Sequence, residues 1–313
     1  MGLTNEEILK QFKEVMKAGN DVTLREDNAR AFLLDAVANA DTLNKLYHHF
    51  AKSGTGSIDK LGVKTRTLKT HKGTNTTPDG TDIKEENEVK FTLASLYLDT
   101  WISNSNVIYT SRTRGQDVRQ ALLGLMQKQF AADVQDLAFN GDEASTVDFL
   151  KQQDGYIKLA KNNAGVKHSF KGLPAIQKMT EVTGEIESKY LNDQYKWFMS
   201  RATNMHYVAE VQNRQTNLGD ATIVNGKLTQ ISGFDVEIVD SMDNNVILFT
   251  SYENLTVVLG MEVTLTTAAQ DSASVAKQAS YHFLMEDIDF VIREDKAIAY
   301  IDAAGEEDGG AGK

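Results

Sequence analysis

The sequence predicts a mixed α/β fold of the α+β class. Three observations carry the prediction: a long amphipathic helix near the middle of the chain, a polar-tipped two-stranded ribbon before it, and several short β-branched strands after it. Apolar residues follow the helical period in some segments and the strand period in others. We therefore expect helices and sheets to pack together in the same domains.

The amino-terminal region, residues 1–54, predicts two amphipathic helices. The first spans residues 4–18, opens with capping-box spacing and ends at a glycine. The second is expected from about Glu26 to Ala51, because its apolar residues fall on one helical stripe. A helix of this kind packs on its own domain or on a neighbouring chain, and its stripe includes Phe32, Leu33 and Val37.

Residues 55–100 predict two strands joined by the polar turn HKGTNTTPDGTD. With the turn centred near Thr76, Leu61 faces Phe91 and the opposite side of the ribbon becomes ionic. A two-stranded ribbon of this length is marginally stable alone in water, so it needs an outside surface. The alternative is an ordinary hairpin folded onto its own domain. The predicted ionic pairs are Lys64 with Glu88 and Arg66 with Glu86.

The segment from Thr113 to Asp142 predicts one long helix. It requires a partner surface along most of its length, because its apolar residues form a continuous stripe. Asn140 and Gly141 supply a stop signal, since both residue types tolerate left-handed backbone angles. The stripe consists of Val118, Leu122, Leu125, Met126, Phe130, Val134 and Leu137.

The carboxyl-terminal half alternates helices and strands. Two helices are expected at Ala175–Tyr190 and Arg201–Arg214, with a strand, Tyr195–Met199, between them. The tail after residue 302 is rich in glycine and charge, and we expect it to be disordered. The remaining predicted strands are Phe234–Val239, Val246–Phe249, Thr256–Leu259, Ala279–Met285, Asp289–Arg293 and Ala297–Ile301.

Composition excludes several classes of function. The 313 residues contain no cysteine, which removes disulfides, thiolate catalysis and zinc–thiolate sites. A net charge of −11 disfavours a protein that reads nucleic-acid sequence, although it is compatible with a wall that encloses nucleic acid. The apolar runs are too short to span a bilayer, and the amino end lacks the pattern of a secretory signal. We expect folding inside a cell.

The sequence holds no recognisable catalytic, cofactor or metal site. Its glycines do not have the spacing of a phosphate-binding loop or a dinucleotide fingerprint, and no nucleophile elbow occurs. The adjacent His48 and His49, expected on a helix, would point in different directions. The cluster around Asp240 and Asp243 lacks the later residues of a calcium loop and predicts a turn. We expect no catalytic residue, no metal ligand and no cofactor.

Three stretches resemble one protein family. The long helix ends in AFNGDEAS and continues into DFLKQQDGYIKLAKN. The later pieces, in order, are ISGFDVEIVDSMDNNVILFTSYENLTVVLG and FLMEDIDFVIREDKAIAYIDA. Together they resemble the major capsid proteins of tailed bacteriophages, which share the Hong Kong 97 coat fold, over roughly residues 25 to 302. The chain departs from many members at Gly233–Val236 and at Thr250–Ser251.

The resemblance implies a domain scheme. Residues 1–54 would form an amino-terminal arm, 55–100 an extended β-hairpin loop, and 101–171 a peripheral domain that contains a spine helix. An axial α/β domain would span residues 172–260. Residues 261–302 would return to the peripheral domain as strands, and residues 303–313 would form a disordered tail.

The resemblance also implies a function and partners. The chain would be a structural, non-enzymatic virion protein that forms hexamers and pentamers of an icosahedral shell, assembled in the host cytoplasm around double-stranded DNA. A separate scaffolding protein and a portal protein are expected as partners, with no membrane. The alternatives are an encapsulin-like nanocompartment shell and, more remotely, an enzyme with an unrecognised site in 172–260. The expected assembly contacts are Lys64, Arg66, Glu86, Glu88, Phe32, Leu33 and Val37.

Overall fold

The computed structural model describes residues 22–23, 42–60, 88–103, 118–212, 223–224, 226–268 and 271–305. These residues form two compact units, and each unit is built from separated parts of the chain. The first unit draws on the described parts of 1–56, 92–155 and 257–290. The second draws on the described parts of 57–91, 156–256 and 291–313.

Helices and strands alternate along the described chain. The α-helices are α1 (Val118–Asn140), α2 (Tyr156–Asn163), α3 (Ile176–Glu185), α4 (Arg201–Gln212) and α5 (Ser272–Lys277). The first eight strands are β1 (Val22–Thr23), β2 (Tyr47–Ala51), β3 (Thr55–Asp59), β4 (Glu88–Thr92), β5 (Ala94–Ser103), β6 (Val166–Ser169), β7 (Tyr195–Met199) and β8 (Ile223–Val224). The others are β9 (Lys227–Leu228), β10 (Gln230–Ile231), β11 (Phe234–Ile238), β12 (Val246–Ser251), β13 (Leu255–Gly260), β14 (Thr264–Ala268), β15 (Ala279–Ile292) and β16 (Ala299–Asp302).

The first unit is organised around the long strand β15. Its sheet runs in the order β1-β14-β15-β13-β2, and β5 also pairs with β15. β5 lies antiparallel to β15 over ten positions, from Ser103 opposite Ala279 to Ala94 opposite Ile288. Side chains alternate between the two faces of a strand, so His282, Leu284 and Ile288 of β15 are buried together.

Helix α1 confirms the predicted helix for its described part. Four members of the predicted stripe, Met126, Phe130, Val134 and Leu137, are buried. Their spacing of three or four residues keeps them on one side of the helix. Residues 113–117 lie outside the described part of the chain.

The end of α1 falls where the sequence predicted it, but for a different reason. Gly141 does not have a left-handed backbone. Instead, the chain at Gly155 crosses so closely that a Cβ on Gly141 would lie 2.2 Å from the carbonyl oxygen of Gln153 and 2.6 Å from that of Leu137. The Gly141 N–H donates to the Leu137 carbonyl, and the Gly155 N–H donates to the Gly141 carbonyl, both at 2.9 Å. Glycine is therefore required here for close backbone approach.

The second unit is a mixed sheet with a buried aromatic centre. Its strand order is β10-β11-β7-β12-β16-β6, with β7 parallel to β11 and β16 parallel to β6. The rings of Trp197 and Phe249 stack at 4.3 Å between centroids, and Tyr195 contacts the same phenylalanine at 5.1 Å. The strand predicted at Tyr195–Met199 is confirmed, and so are the two helices that flank it. The first helix ends at Glu185 instead of Tyr190, and residues 213–214 of the second lie outside the described residues.

Three predicted elements differ from the structure. The second amino-terminal helix was expected to reach Ala51, but Tyr47–Ala51 is strand β2, which pairs beside β13. Pairing in a sheet overrides a weak local helical pattern. His48 and His49 therefore lie on a strand and not on a helix.

The strands predicted on either side of residues 286–288 are one continuous strand, β15. The last strand, β16, pairs with β12 and β6 in the second unit instead of returning to the helix α1 unit.

Some predictions lie outside the described residues. These are the helix at 4–18, most of the second amino-terminal helix, and the tail from residue 306 onward. The chain is described as far as Gly305, and the preceding residue, Ala304, forms a β-bridge with Lys171.

We expect Gly141→Ala to lower the free energy of unfolding by about 1–3 kcal/mol, since the new methyl group meets main-chain oxygens that cannot rotate away. The matched control is Gly184→Ala in α3, where nothing lies within 4 Å of a Cβ. Its stability should be unchanged or slightly higher, because alanine favours helix. Denaturant unfolding of both variants measures the difference. Equal stability of the two variants would contradict the close-approach explanation.

Candidate assembly surfaces

Only one of the residues predicted as assembly contacts lies in the described part of the chain. Glu88 is the first residue of β4, and its side chain is exposed. The others lie outside the described residues and remain predictions: Lys64, Arg66, Glu86, Phe32, Leu33 and Val37.

The base of the predicted ribbon is a two-stranded sheet of β3 and β4. Its one-sided apolar pattern is present, because Ile58 and Phe91 are buried while most of their strand neighbours are exposed. The predicted register is wrong at this base. If the predicted register continued to Gly54, that residue would lie opposite Leu98. In the structure, the Leu93 N–H donates to the Gly54 carbonyl at 2.8 Å.

The guanidinium of Arg293 holds the end of β3. Its Nε and Nη2 donate to the carbonyl oxygen of Asp59 at 3.2 Å and 3.1 Å. Two parallel N–H donors on one planar group fix orientation as well as distance. The main chain is therefore anchored immediately before the ribbon leaves the described residues at position 60.

Asp289, in β15 of the first unit, anchors the other end of the ribbon. Its carboxylate accepts from the N–H of Thr92, the last residue of β4, at 2.8 Å. It also accepts from the side-chain amide of Gln153 and from the N–H of Phe290. Burial raises the pKa of Asp289, and these donors oppose that increase. The carboxylate thus joins the ribbon to the segment that follows α1.

The outer face of the first sheet carries an aromatic ladder. Tyr97 and Trp101 of β5 lie beside Phe283 and Tyr281 of β15, with ring centroids 5.4 Å and 4.9 Å apart. Tyr97 is 65% exposed, which is unusual for so large a ring. The ammonium of Lys277 lies 3.9 Å from the centre of the Trp101 ring, within the range of a cation–π interaction. The ladder is an aromatic surface with the Lys277 ammonium at one end and the Asp99 carboxylate within it, which accepts from the Tyr281 hydroxyl at 3.3 Å.

A groove of about 130 Å³ lies on the other side of β5, against α1. Its walls are mainly aliphatic and aromatic. One acidic side chain, Asp133, also lines it, and burial raises the pKa of this carboxyl while the amide of Gln129 opposes the change. The other lining residues are Leu96, Tyr97, Leu98, Phe130, Val134, Leu137, Phe149 and Gln152.

The second unit presents a helical surface with paired charges. Arg201, at the start of α4, makes a two-pronged ion pair with Asp240, with both N–O distances 2.8 Å. The region around Asp240 forms a turn, as predicted. Met205 on the same helix is a large apolar side chain in solvent. An exposed ion pair of this kind contributes little to the free energy of folding.

The described residues contain no group of three or more histidine, aspartate or glutamate side chains that could hold a metal ion. No helix among them is long and apolar enough to cross a membrane.

Sequence reasoning missed the Asp289 anchor and the aromatic ladder. The ladder had a signal: Tyr97 and Trp101 are four residues apart in a strand, so they share one face. The anchor had none, because Thr92 and Gln153 meet Asp289 only through the tertiary fold.

No protein-family model matches the sequence. The chain is 24% identical over 189 residues to the "Putative prophage capsid protein YqbE" of Bacillus subtilis (strain 168). The match covers 55% of this chain and 55% of that protein, so the chain spans about half the length of this relative.

Solved structures match over more of the chain. A chain of the "Satellite phage P4 procapsid including size determination (Sid) protein" matches with a TM-score of 0.69 and 14% identity, covering 98% of this chain and 100% of that one. This chain has the Hong Kong 97 coat fold. The same fold gives a TM-score of 0.58 with the "Capsid of empty GTA particle", at 11% identity and with 85% and 90% covered.

The coat fold also relates this chain to an encapsulin. The holo-SrpI encapsulin complex from Synechococcus elongatus PCC 7942 matches with a TM-score of 0.54 and 12% identity, covering 83% of this chain and 85% of that chain. The coat fold accounts for the order of the described elements: ribbon base, long helix, mixed sheet, then the long strand β15. It does not by itself distinguish between a viral shell and a cargo compartment.

We expect Asp289→Ala to lower the free energy of unfolding by about 1–3 kcal/mol, because the Thr92 N–H and the half-buried Gln153 amide lose their shared acceptor and the buried Asp289 site loses its side chain. Hydrogen exchange at the Thr92 amide should accelerate in the variant. The control is Asp287→Asn, at a more exposed carboxylate that accepts from Ser95. It should stay within about 0.5 kcal/mol of the original chain. Unchanged exchange at Thr92 in Asp289→Ala would show that the ribbon is anchored elsewhere.

Proposed function

We propose that this chain is the major capsid subunit of a tailed bacteriophage. It is a structural, non-enzymatic virion protein that assembles into an icosahedral shell of hexamers and pentamers around double-stranded DNA. The observation that carries the proposal is the match over 98% of the chain to a phage procapsid. The sequence similarity to a prophage capsid protein supports it independently.

Assembly would proceed through many weak contacts repeated by symmetry. A single contact need not be strong when each subunit makes several of them and a closed shell repeats each one. The ribbon of residues 55–100 would lie across the adjacent subunit, with Lys64, Arg66, Glu86 and Glu88 at the contact. The amino-terminal arm would add the stripe of Phe32, Leu33 and Val37.

The domain scheme of the coat family is part of the proposal. The arm would be residues 1–54, the peripheral domain 101–171 with its spine helix, and the axial domain 172–260. The pairing of β16 within the second unit favours assigning residues 299–302 to the axial side of this scheme.

The acidity of the chain fits a container for DNA. A net charge of −11 repels the phosphate backbone on average, so the inner wall would hold DNA without sequence-specific contacts. Weak attachment would allow a packaged polymer to slide during loading. A portal protein would provide the entry point, and assembly would take place in the host cytoplasm.

An encapsulin-like shell is the second candidate, because an encapsulin shares the coat fold. The lower coverage of that match and the prophage relative favour the viral shell. Neighbouring genes would separate the two candidates: portal and terminase genes accompany a phage coat, whereas a cargo-enzyme gene accompanies an encapsulin.

The full-length protein should sediment as hexamers, pentamers or closed particles. Reversal of Lys64 and Arg66 to glutamate should reduce particle yield while the thermal transition of the free subunit stays nearly unchanged. The reason is that exposed ion pairs contribute only roughly 0.2–1 kcal/mol to a monomer but recur at each contact of a shell. The charge-conserving pair Lys64→Arg with Arg66→Lys is the matched control. A protein that stays monomeric at all concentrations and salts would contradict the proposed function.

We further propose that a separate scaffolding protein sets shell size, with residues 3–18 as its docking site or as part of the inner wall. A helix of about four turns is barely stable unless it docks on another surface. Coat protein expressed alone should give tubes, spirals or shells of mixed size in electron micrographs, and the partner should make them uniform. Uniform shells of one size without a partner would contradict this proposal, and the deletion of residues 3–18 tests the docking site.

A further inference from the structure

Glu286 is a buried acid in the middle of the strand that organises the first unit. It lies in β15, directly opposite Leu96 of β5. The residue is 1% exposed, and neither carboxyl oxygen has a hydrogen-bond partner of good geometry. Buried polar groups in folded proteins are nearly always paired, so an unpaired carboxyl at this position requires an explanation.

The surroundings of Glu286 offer little compensation for a negative charge. Leu284 and Ile288 flank it on the same face of β15 and are buried. His282, also on this face, is engaged by Thr267 at 3.2 Å and Ser280 at 3.0 Å. Among the described residues, the charged group that acts on the Glu286 carboxyl is Asp287, and it repels a second negative charge.

Close packing at the adjacent strand keeps this site tight. A Cβ on Gly260 would lie 3.1 Å from the Asp287 Cβ and 3.5 Å from Oε1 of Glu286. The Gly260 main chain gives some support to the ionised carboxyl, but less than burial removes. An ionised Glu286 would therefore stay nearly uncompensated unless the strands separated and admitted water.

We propose that Glu286 is a proton-controlled weak point of the first unit. The sheet stays closed while the carboxyl holds its proton, and it loosens around β15 when the proton is lost. The proposal concerns the subunit itself and does not depend on the proposed function. Its consequence is a subunit whose central strand becomes easier to open as the solution becomes more alkaline.

The direction of the effect follows from the two protonation states. Burial, reinforced by Asp287, raises the pKa of Glu286 to about 9, while the ordinary value in an unfolded chain is 4.5. Between these values the folded state holds one proton more than the unfolded state. Stability from this group is therefore complete below pH 4.5 and is lost as pH rises towards 9. The unfolding equilibrium constant should grow by about tenfold per pH unit in this window.

Glu286→Gln tests the proposal, since it keeps the shape and removes the titration. Unfolding of the full-length protein should be measured in denaturant from pH 5 to pH 9. The ratio of the unfolding constants, original chain over Glu286→Gln, should rise by up to tenfold per pH unit. Asp287→Asn is the control, because it removes a neighbouring carboxylate but leaves Glu286 able to titrate. Its unfolding constant should still rise with pH as that of the original chain does, with the rise ending at a somewhat lower pH because Asp287 no longer reinforces the pKa of Glu286.

Two outcomes would overturn the proposal: a ratio that stays constant from pH 5 to pH 9, or an equal loss of pH dependence in Asp287→Asn. If Glu286→Gln does not fold, Glu286→Leu provides the same comparison, because it fills similar volume and has no ionisable group. Hydrogen exchange of the β15 amides in each protein should locate the opening. Faster exchange confined to strands outside the first unit would also count against the proposal.

Discussion

The pairing of β15 is the interaction on which the first unit depends. This strand alone contacts β5 along one edge, and β14 and β13 along the other. Its fourteen residues therefore connect parts of the chain that are nearly two hundred positions apart, such as Leu96 and Glu286. Loss of its pairing would separate β5, β14 and β13 from one another.

Two acids on this strand show opposite solutions to burial. Asp289 accepts from Thr92, Gln153 and Phe290, so its carboxyl oxygens join three segments and oppose the increase in pKa that burial causes. Glu286, three residues earlier, has no such donors. The same strand thus carries one carboxylate that organises the fold and one carboxyl that keeps its proton instead.

The sequence predicted elements whose apolar pattern repeats over many residues. Helix α1 is the best example, because four described members of its stripe are buried as expected. The prediction failed where a local pattern was short or ambiguous. Tyr47–Ala51 continued a helical stripe but pairs in a sheet, and the acids at 286 and 287 looked like a strand end but lie inside one strand. Both outcomes are decided by partners distant in sequence.

The ribbon base was less predictable than the long helix, for the same reason. The polar tip and alternation of the ribbon identify it in sequence, yet its register depends on main-chain bonds such as Leu93 to Gly54. Asp289 and Arg293 hold its two strands at the base, and neither residue is near it in sequence. The alternation of side chains along a ribbon can be predicted from the sequence pattern. Asp289 and Arg293 reach the ribbon only through the tertiary fold, so a local pattern does not predict them.

The two anchors, Asp289 and Arg293, both act at the base of the ribbon. At the base, charged groups bind main-chain atoms that belong to the same chain, which fixes the direction in which the ribbon leaves. Beyond the base, a two-stranded ribbon gains little stability from itself. In the proposed shell, a base fixed in this way would let the predicted ribbon take its remaining contacts from a neighbouring subunit.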